Sequence, residues 1–181
     1  MAALVLAASW ACADAPASMP ALPHESSGAC PFECCTYRTW TVDKDTDILV
    51  DRIEGAAVAF SVRKGETVLG VTGVVVTMTA GRARVRKETV IGDGSVQIRV
   101  RPGDGVYLLH YLGEGYWKAW VRGREIEINE IRCMGEENVP QPCGLRILSK
   151  PRTAWWVKIR RGDREGWTRE VDHFGNIDAC G

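Results

Sequence analysis

The sequence predicts an all-β protein made of one or two small barrels, either two in tandem or one elaborated, and stapled by disulfides. Three observations carry this expectation. In residues 153–169, TAWWVKIRRGDREGWTR, two Trp lead into the alternation Val157, Lys158, Ile159, Arg160; a turn at Arg161, Gly162, Asp163 follows, and a strand resumes at Gly166 and Trp167. That is a β-hairpin signature. Upstream, turn signals recur at intervals of about ten residues, the rhythm of a sandwich or barrel. Cysteines sit at both ends of this β-rich region, at Cys30, Cys34, Cys35 and Cys180, with Cys133 and Cys143 between them.

Residues 1–13, MAALVLAASWACA, carry no charge and end in the small-x-small pattern Ala11, Cys12, Ala13. They are expected to be a secretory signal peptide, although a basic leading region is missing. A lipid-modified Cys12 is the competing expectation, and it alone would bring the chain to a membrane. Setting Cys12 aside leaves six of the 7 cysteines, an even number that fits an oxidising compartment. The expected location is periplasmic or secreted. Lys plus Arg number 23 and Asp plus Glu 23, so the formal net charge is zero and no bulk attraction draws the chain to nucleic acid.

Residues 14–29 hold several Pro, Ala and Ser without periodicity and are expected to be a flexible tether. The first β domain is expected over residues 30–128. It opens at CPFECC and the alternating run Tyr37, Arg38, Thr39, Trp40, Thr41, Val42, with further strands over 50–53, 56–62, 68–79 and 83–91. Gly70 and Gly73 break the long run 68–79 where bends would suit a barrel. Val96, Ile98 and Val100 alternate with Gln97, Arg99 and Arg101, which predicts one buried face and one wet face. Strands are expected again over 106–112, 116–122 and 125–128. Residues 129–144 form a linker or disulfide loop, and 145–181 a second, partial β unit closed by the C-terminal hairpin.

One internal likeness stands out. GYWKAWVRGREIEI, residues 115–128, and AWWVKIRRGDREGW, residues 154–167, share an aromatic pair, a basic residue and a turn with Arg and Gly between β runs. The match is short, and a chance likeness of two hairpins competes with a duplicated unit.

WWVKIRRGDREGW, residues 155–167, resembles the final hairpin of bacterial SH3-like (Src-homology-3-like) domains. GEGYWKAWVRG, residues 113–123, looks like a more degenerate copy, and VRKGETV, residues 62–68, is similar to the Gly-Glu turn before that family's central strands. The Asn, Arg and Ser signature of the family's first strand is missing. The resemblance implies SH3-like barrels in a non-catalytic envelope module that binds peptide, peptidoglycan or a partner protein. Fold alone does not decide function.

Side-chain chemistry narrows the choice. Cys133 with Cys143, and Cys180 with a member of Cys30, Cys34 and Cys35, are the expected disulfides. CPFECC lacks a second spaced pair, so neither a metal site nor any cofactor is expected. The histidines are His24, His110 and His173, and no Gly-x-Ser-x-Gly elbow accompanies them, so no catalytic residue is assigned. His110, within the apolar run 108–112, is expected to be a packed or edge-strand residue. Adjacent Trp in a strand point to opposite faces, so Trp155 shares a face with Val157 and Ile159, and Trp156 with Lys158 and Arg160. Trp156 is then either an exposed platform that stabilises the sheet or, with Tyr116, Trp120, Lys158 and Arg160, a surface that stacks on a peptide or glycan.

The expected function is a non-enzymatic binding or structural module of the cell envelope. A hydrolase inhibitor acting through a disulfide-closed loop over 129–144 is the alternative. An aromatic groove joining Tyr116, Trp120 and Trp156 would favour the first. A deep cleft holding His110 with an acidic partner would favour an enzyme.

Overall fold

Strand signals in the sequence become strands wherever apolar and polar residues alternate, and the pairing between them gives the architecture. The computed structural model describes residues 19–93, 96–129, 132–134, 140–142 and 144–180. The expectations for the signal segment, Cys12, the start of the tether and Cys143 fall outside these residues, as does half of the loop assigned to an inhibitor.

In chain order the first strands are β1 (His24–Ser27), β2 (Thr39–Val42), β3 (Thr46–Leu49), β4 (Val58–Val62) and β5 (Thr67–Thr79). Then come β6 (Gly81–Val85), β7 (Thr89–Asp93), β8 (Val96–Val100), β9 (Gly105–Gly113), β10 (Tyr116–Val121) and β11 (Arg124–Asn129). The last are β12 (Arg132–Met134), β13 (Pro140–Pro142), β14 (Leu145–Ser149), β15 (Arg152–Arg161), β16 (Arg164–Thr168) and, after the 3-10 turn Val171–His173, β17 (Phe174–Gly175). The protein is all-β, with curled antiparallel sheets and a barrel-like form.

An eight-stranded sheet runs β17-β2-β5-β15-β16-β3-β4, with β1 also paired to β5. A five-stranded sheet runs β11-β10-β9-β6-β14, and β7-β8 and β12-β13 are separate hairpins. The two larger sheets are joined by one pair of strands. β5 passes through Ala80 into β6, while β14 returns through Lys150 and Pro151 into β15. β5 pairs with β15 in one sheet and β6 pairs with β14 in the other. Residues 81–149 are therefore an insertion between two neighbouring strands of the eight-stranded sheet. The crossing is tight: a Cβ on Gly81 would lie 2.6 Å from the Ser149 carbonyl oxygen, so only glycine fits there.

Each sheet closes over its own core. In the five-stranded sheet Val106, Leu108, Trp117, Ala119, Val121, Ile126 and Ile128 pack with Val85, Ile91 and Val100. In the eight-stranded sheet Trp40, Val42, Ile48, Phe60, Val62, Val157, Ile159 and Phe174 form the second cluster, with Tyr37 and Trp155 half-buried against it. Gly70 belongs to this packing, since a Cβ there would meet the Trp40 ring at 2.7 Å. Between the sheets, the buried Thr77 hydroxyl of β5 donates to the Leu109 carbonyl of β9 at 2.8 Å.

Several expectations need correction. The division at 128 and 145 does not match the sheets, because β15 and β16 complete the sheet that β2 and β5 begin. Sequence order hides this, as the insertion separates strands that are hydrogen-bonded neighbours. The expected tether contains β1, which pairs with Val74–Thr77 in register. The long β5 has one edge covered by β2 only at Thr67, Val68 and Leu69, and β1 supplies partners further along for backbone groups that would otherwise be unpaired. The strand expected over 50–53 lies instead at Thr46–Leu49. On β8 burial fades outward: Val100 is fully buried, Ile98 partly, and Val96 exposed, because only the base of the two-stranded arm is covered.

Among the described residues two disulfides are formed, Cys30 with Cys35 and Cys34 with Cys180, with Cα separations of 5.5 and 5.6 Å. Cys180 thus joins the N-terminal cluster as expected. The C-terminal strand of residues is also pinned by backbone bonds, from Thr36 N to the Ile177 carbonyl at 3.0 Å and from Ala179 N to the Cys34 carbonyl at 2.7 Å. These bridges point to an oxidising, non-cytoplasmic environment. No helix among the described residues is long and apolar enough to cross a membrane.

Candidate ligand-binding site

The residues singled out in the sequence do not assemble into one groove. Tyr116 and Trp120 lie on β10 of the five-stranded sheet, whereas Trp156, Lys158 and Arg160 lie on β15 of the eight-stranded one. Tyr116 is 39 % exposed and flanks Phe32 and Glu33. Trp120 meets the His24 ring edge-on at 5.9 Å between centroids. Lys158 and Arg160 both hold Glu165, at 3.1 and 2.7 Å, and Lys158 also lies 5.5 Å from the Trp167 ring centre. Those hydrogen bonds, Arg160 first, hold the exposed Glu165 carboxyl below its ordinary value. The two cations are therefore engaged within the sheet rather than held ready for a ligand.

Alternation places Trp155 with Val157 and Ile159 on the core face, as the sequence indicated. Trp156, expected to be exposed, is buried to 6 % exposure. Its face of β15 is overlaid by the chain that follows β16: the Arg169 guanidinium stands 5.6 Å from the centre of the indole. Trp156 still borders open space, because it lines a cleft of about 630 Å³ beside Leu49 and Thr168.

That cleft is built by three pieces of chain. The turn after β2 and the start of β3 bring Asp45, Thr46 and Asp47; the bend after β3 brings Glu54; and the segment after β16 brings Arg169, Glu170 and His173. Asp45 and Asp47 are fixed in place by neighbours outside the cleft, whereas Glu54 and Glu170 lie 4.0 and 3.9 Å from Arg169 and His173 of its own lining. Asp45 accepts from the Lys64 backbone N–H at 2.8 Å and from Arg63 at 2.8 Å, and these bonds, the backbone one foremost, hold its carboxyl below the usual range. Ser61 donates to Asp47 at 2.6 Å. Thr46 gives its hydroxyl hydrogen to the Lys44 carbonyl at 2.9 Å, so its oxygen accepts from His173 Nδ1–H at 2.9 Å. His173 is thereby anchored at the cleft edge, 3.9 Å from Glu170.

Asp45, Asp47, Glu54 and Glu170 thus border the cleft beside Trp156, with Arg169, which lies over the indole and 4.0 Å from Glu54, as the cation among its lining residues. Such a surface attracts ammonium or guanidinium groups by charge, while the Trp156 ring face itself is held by Arg169. The acidic half of this site was not singled out from the sequence. Its residues are scattered along the chain, and the pairing of β3 with β16 together with the return of the chain after β16 brings them to Trp156.

A second cleft, of about 430 Å³, lies between β1 and the five-stranded sheet and includes Ser26, His110, Lys118, Glu125 and Glu127. His110 is 2 % exposed, as expected of a packed residue. Acidic residues do border it, but its ring bonds to neither: Nδ1 donates to the Tyr111 carbonyl at 3.2 Å, and Glu125 is taken by His24 at 2.8 Å. Burial holds the His110 imidazole below its ordinary 6.5, and the Lys118 charge adds to this. An unfolded chain therefore takes up this proton at higher pH than the folded one. Stability is fully present above about pH 6.5 and falls as pH drops towards the folded value. Urea midpoints measured from about pH 7 to about pH 5.5 are expected to decline in the parent and to decline less in His110→Asn. The exposed carboxylates Asp45, Glu66, Glu88, Glu165 and Asp172, all held below their ordinary values of 3.8 or 4.5, titrate in a lower window.

Set against protein families, curated proteins and solved structures, the chain matches none.

Proposed function

We propose that this chain is a non-enzymatic binding module of the cell envelope, periplasmic or secreted, and that its Trp156 cleft takes a cationic peptide segment of a partner. The observation that carries this reading is the grouping of four carboxylates, Asp45, Asp47, Glu54 and Glu170, around one cleft that Trp156 also borders. Two disulfides support an extracytoplasmic setting. Hairpins closed by two residues, Val121 to Arg124 and Arg161 to Arg164, together with curled antiparallel sheets, are in keeping with a barrel-like binding module. Peptidoglycan bearing free amino groups would present the same cationic chemistry.

Titration calorimetry with tetralysine tests the reading. Binding in the range of about 10–100 µM at low salt is expected, weakening as salt screens the exposed carboxylates, with no heat of binding from tetraglutamate. Asp47→Asn with Glu170→Gln is expected to weaken binding about tenfold, from two exposed charge contacts at about 0.5–1 kcal/mol each. Equal binding of the two peptides, or an unchanged affinity in the variant, would refute the assignment.

A further inference from the structure

The cleft between β1 and the five-stranded sheet contains polar atoms that the protein itself leaves unsatisfied. Ser26 Oγ and His110 Nε2 are both buried without a hydrogen-bond partner, in residues 7 % and 2 % exposed that line the same cleft. Buried polar groups are nearly always bonded, so two orphans in one cavity require a partner that is not part of the chain. Their chemistry defines it. Because His110 Nδ1 faces the Tyr111 carbonyl, which only accepts, the ring proton is on Nδ1 and Nε2 presents a lone pair. Nε2 is therefore an acceptor, while the Ser26 hydroxyl can donate or accept.

The rim continues the same bias. Glu25, Glu125 and Glu127 contribute carboxylate acceptors, and the cation Lys118 is already committed to Glu127 at 2.8 Å and Glu125 at 3.8 Å. Arg52 also holds Glu25 at 3.0 Å and His24 holds Glu125 at 2.8 Å, but three carboxylates to one lysine among the lining residues leave lone pairs and negative charge in excess, so a ligand that supplies more donors than acceptors and carries positive charge is favoured. A volume of about 430 Å³ lies in the range of small-molecule sites. We propose that this cleft is a second binding site, for a small hydroxylated amine of monosaccharide size, whose hydroxyl groups bond His110 Nε2 and Ser26 Oγ while its ammonium group meets Glu125 and Glu127. The site is separate from the Trp156 cleft and does not depend on it.

Titrating the full chain, labelled with ¹⁵N-histidine, with D-glucosamine tests this, with glucose as the probe lacking the charge. The His110 Nε2 resonance is expected to shift and saturate with a dissociation constant of about 1 mM or tighter, and glucose to bind at least about tenfold more weakly. His110→Asn keeps a donor for the Tyr111 carbonyl but removes the Nε2 acceptor, and should abolish binding. Glu125→Gln, on the exposed rim, should weaken glucosamine several-fold in a folded protein even if His110→Asn is poorly folded. No saturable shift with glucosamine on the order of 10 mM would mean that only an ordered water fills the site and would overturn the proposal. So would equal response to glucose, or undiminished binding by Glu125→Gln.

Discussion

Replacing Cys34 and Cys180 by Ser is expected to lower the stability of the folded chain by about 5 kcal/mol, the largest effect of any pair of substitutions outside the cores. The bridge closes a loop of sequence separation 146, and the entropy it removes from the unfolded chain grows with loop length. Cys30–Cys35 spans a separation of 5, and the same relation gives about 2 kcal/mol for it. In a chain of this size about 5 kcal/mol corresponds to a fall of about 10–20 °C in Tm, measurable by calorimetry. The tail should nevertheless remain docked in the variant. Arg38 Nε donates to the Asn176 carbonyl at 3.1 Å, Asn176 Nδ2 donates to the Thr39 carbonyl at 2.8 Å, and Phe174 pairs with Val42. A fall of less than about 2 kcal/mol would show that these contacts already restrict the unfolded chain, contrary to the loop-entropy account.

Trp40→Ala is the second substitution with a large expected effect, about 3–5 kcal/mol. Trp40 is fully buried in the core of the eight-stranded sheet, between Tyr37 and Phe174 at 5.9 Å from each ring, with Gly70 leaving room for its face. Its Nε1–H donates to the Thr36 carbonyl at 3.0 Å, so truncation removes ring contacts and a hydrogen bond and leaves a cavity. Trp40→Phe retains most of the apolar contact and should cost less, about 1–2 kcal/mol. Urea unfolding that shifts the midpoint without changing its slope would confirm a loss of packing rather than a change of fold. Because the two cores are separate clusters, the five-stranded sheet should keep its near-ultraviolet signature under conditions where the Trp40→Ala sheet is loosened.

Much of the fold was legible because its physics is local. The alternation at β15 separates a core Trp from its neighbour, and two-residue turns at Arg122, Gly123 and at Gly162, Asp163 announce hairpins. What the sequence hides is non-local. HESS, residues 24–27, has no apolar pattern and becomes a strand only because β5 offers it a free edge. Trp156 loses its exposure to Arg169, a residue beyond the next turn, and the same return of the chain delivers Glu170 and His173 to the cleft. Lys158 and Arg160 looked like contact residues by alternation, and Glu165 across the hairpin takes both. The insertion of residues 81–149 between β5 and β15 leaves only a faint trace, in Gly81 at the crossing. The apolar run around His110 announces a packed residue, but the cleft that it shares with Ser26 exists only because β1 arrives from the far end of the chain.

The most direct test of the account is to locate the cationic peptide on the protein. Of the 7 tryptophans in the chain, the account predicts that the Trp156 indole N–H, assigned by Trp156→Phe in a ¹⁵N-tryptophan-labelled sample, shifts and saturates with tetralysine while those of Trp40 and Trp120 stay in place. A saturable shift centred on Trp120, or none at Trp156 while calorimetry records binding, would contradict it.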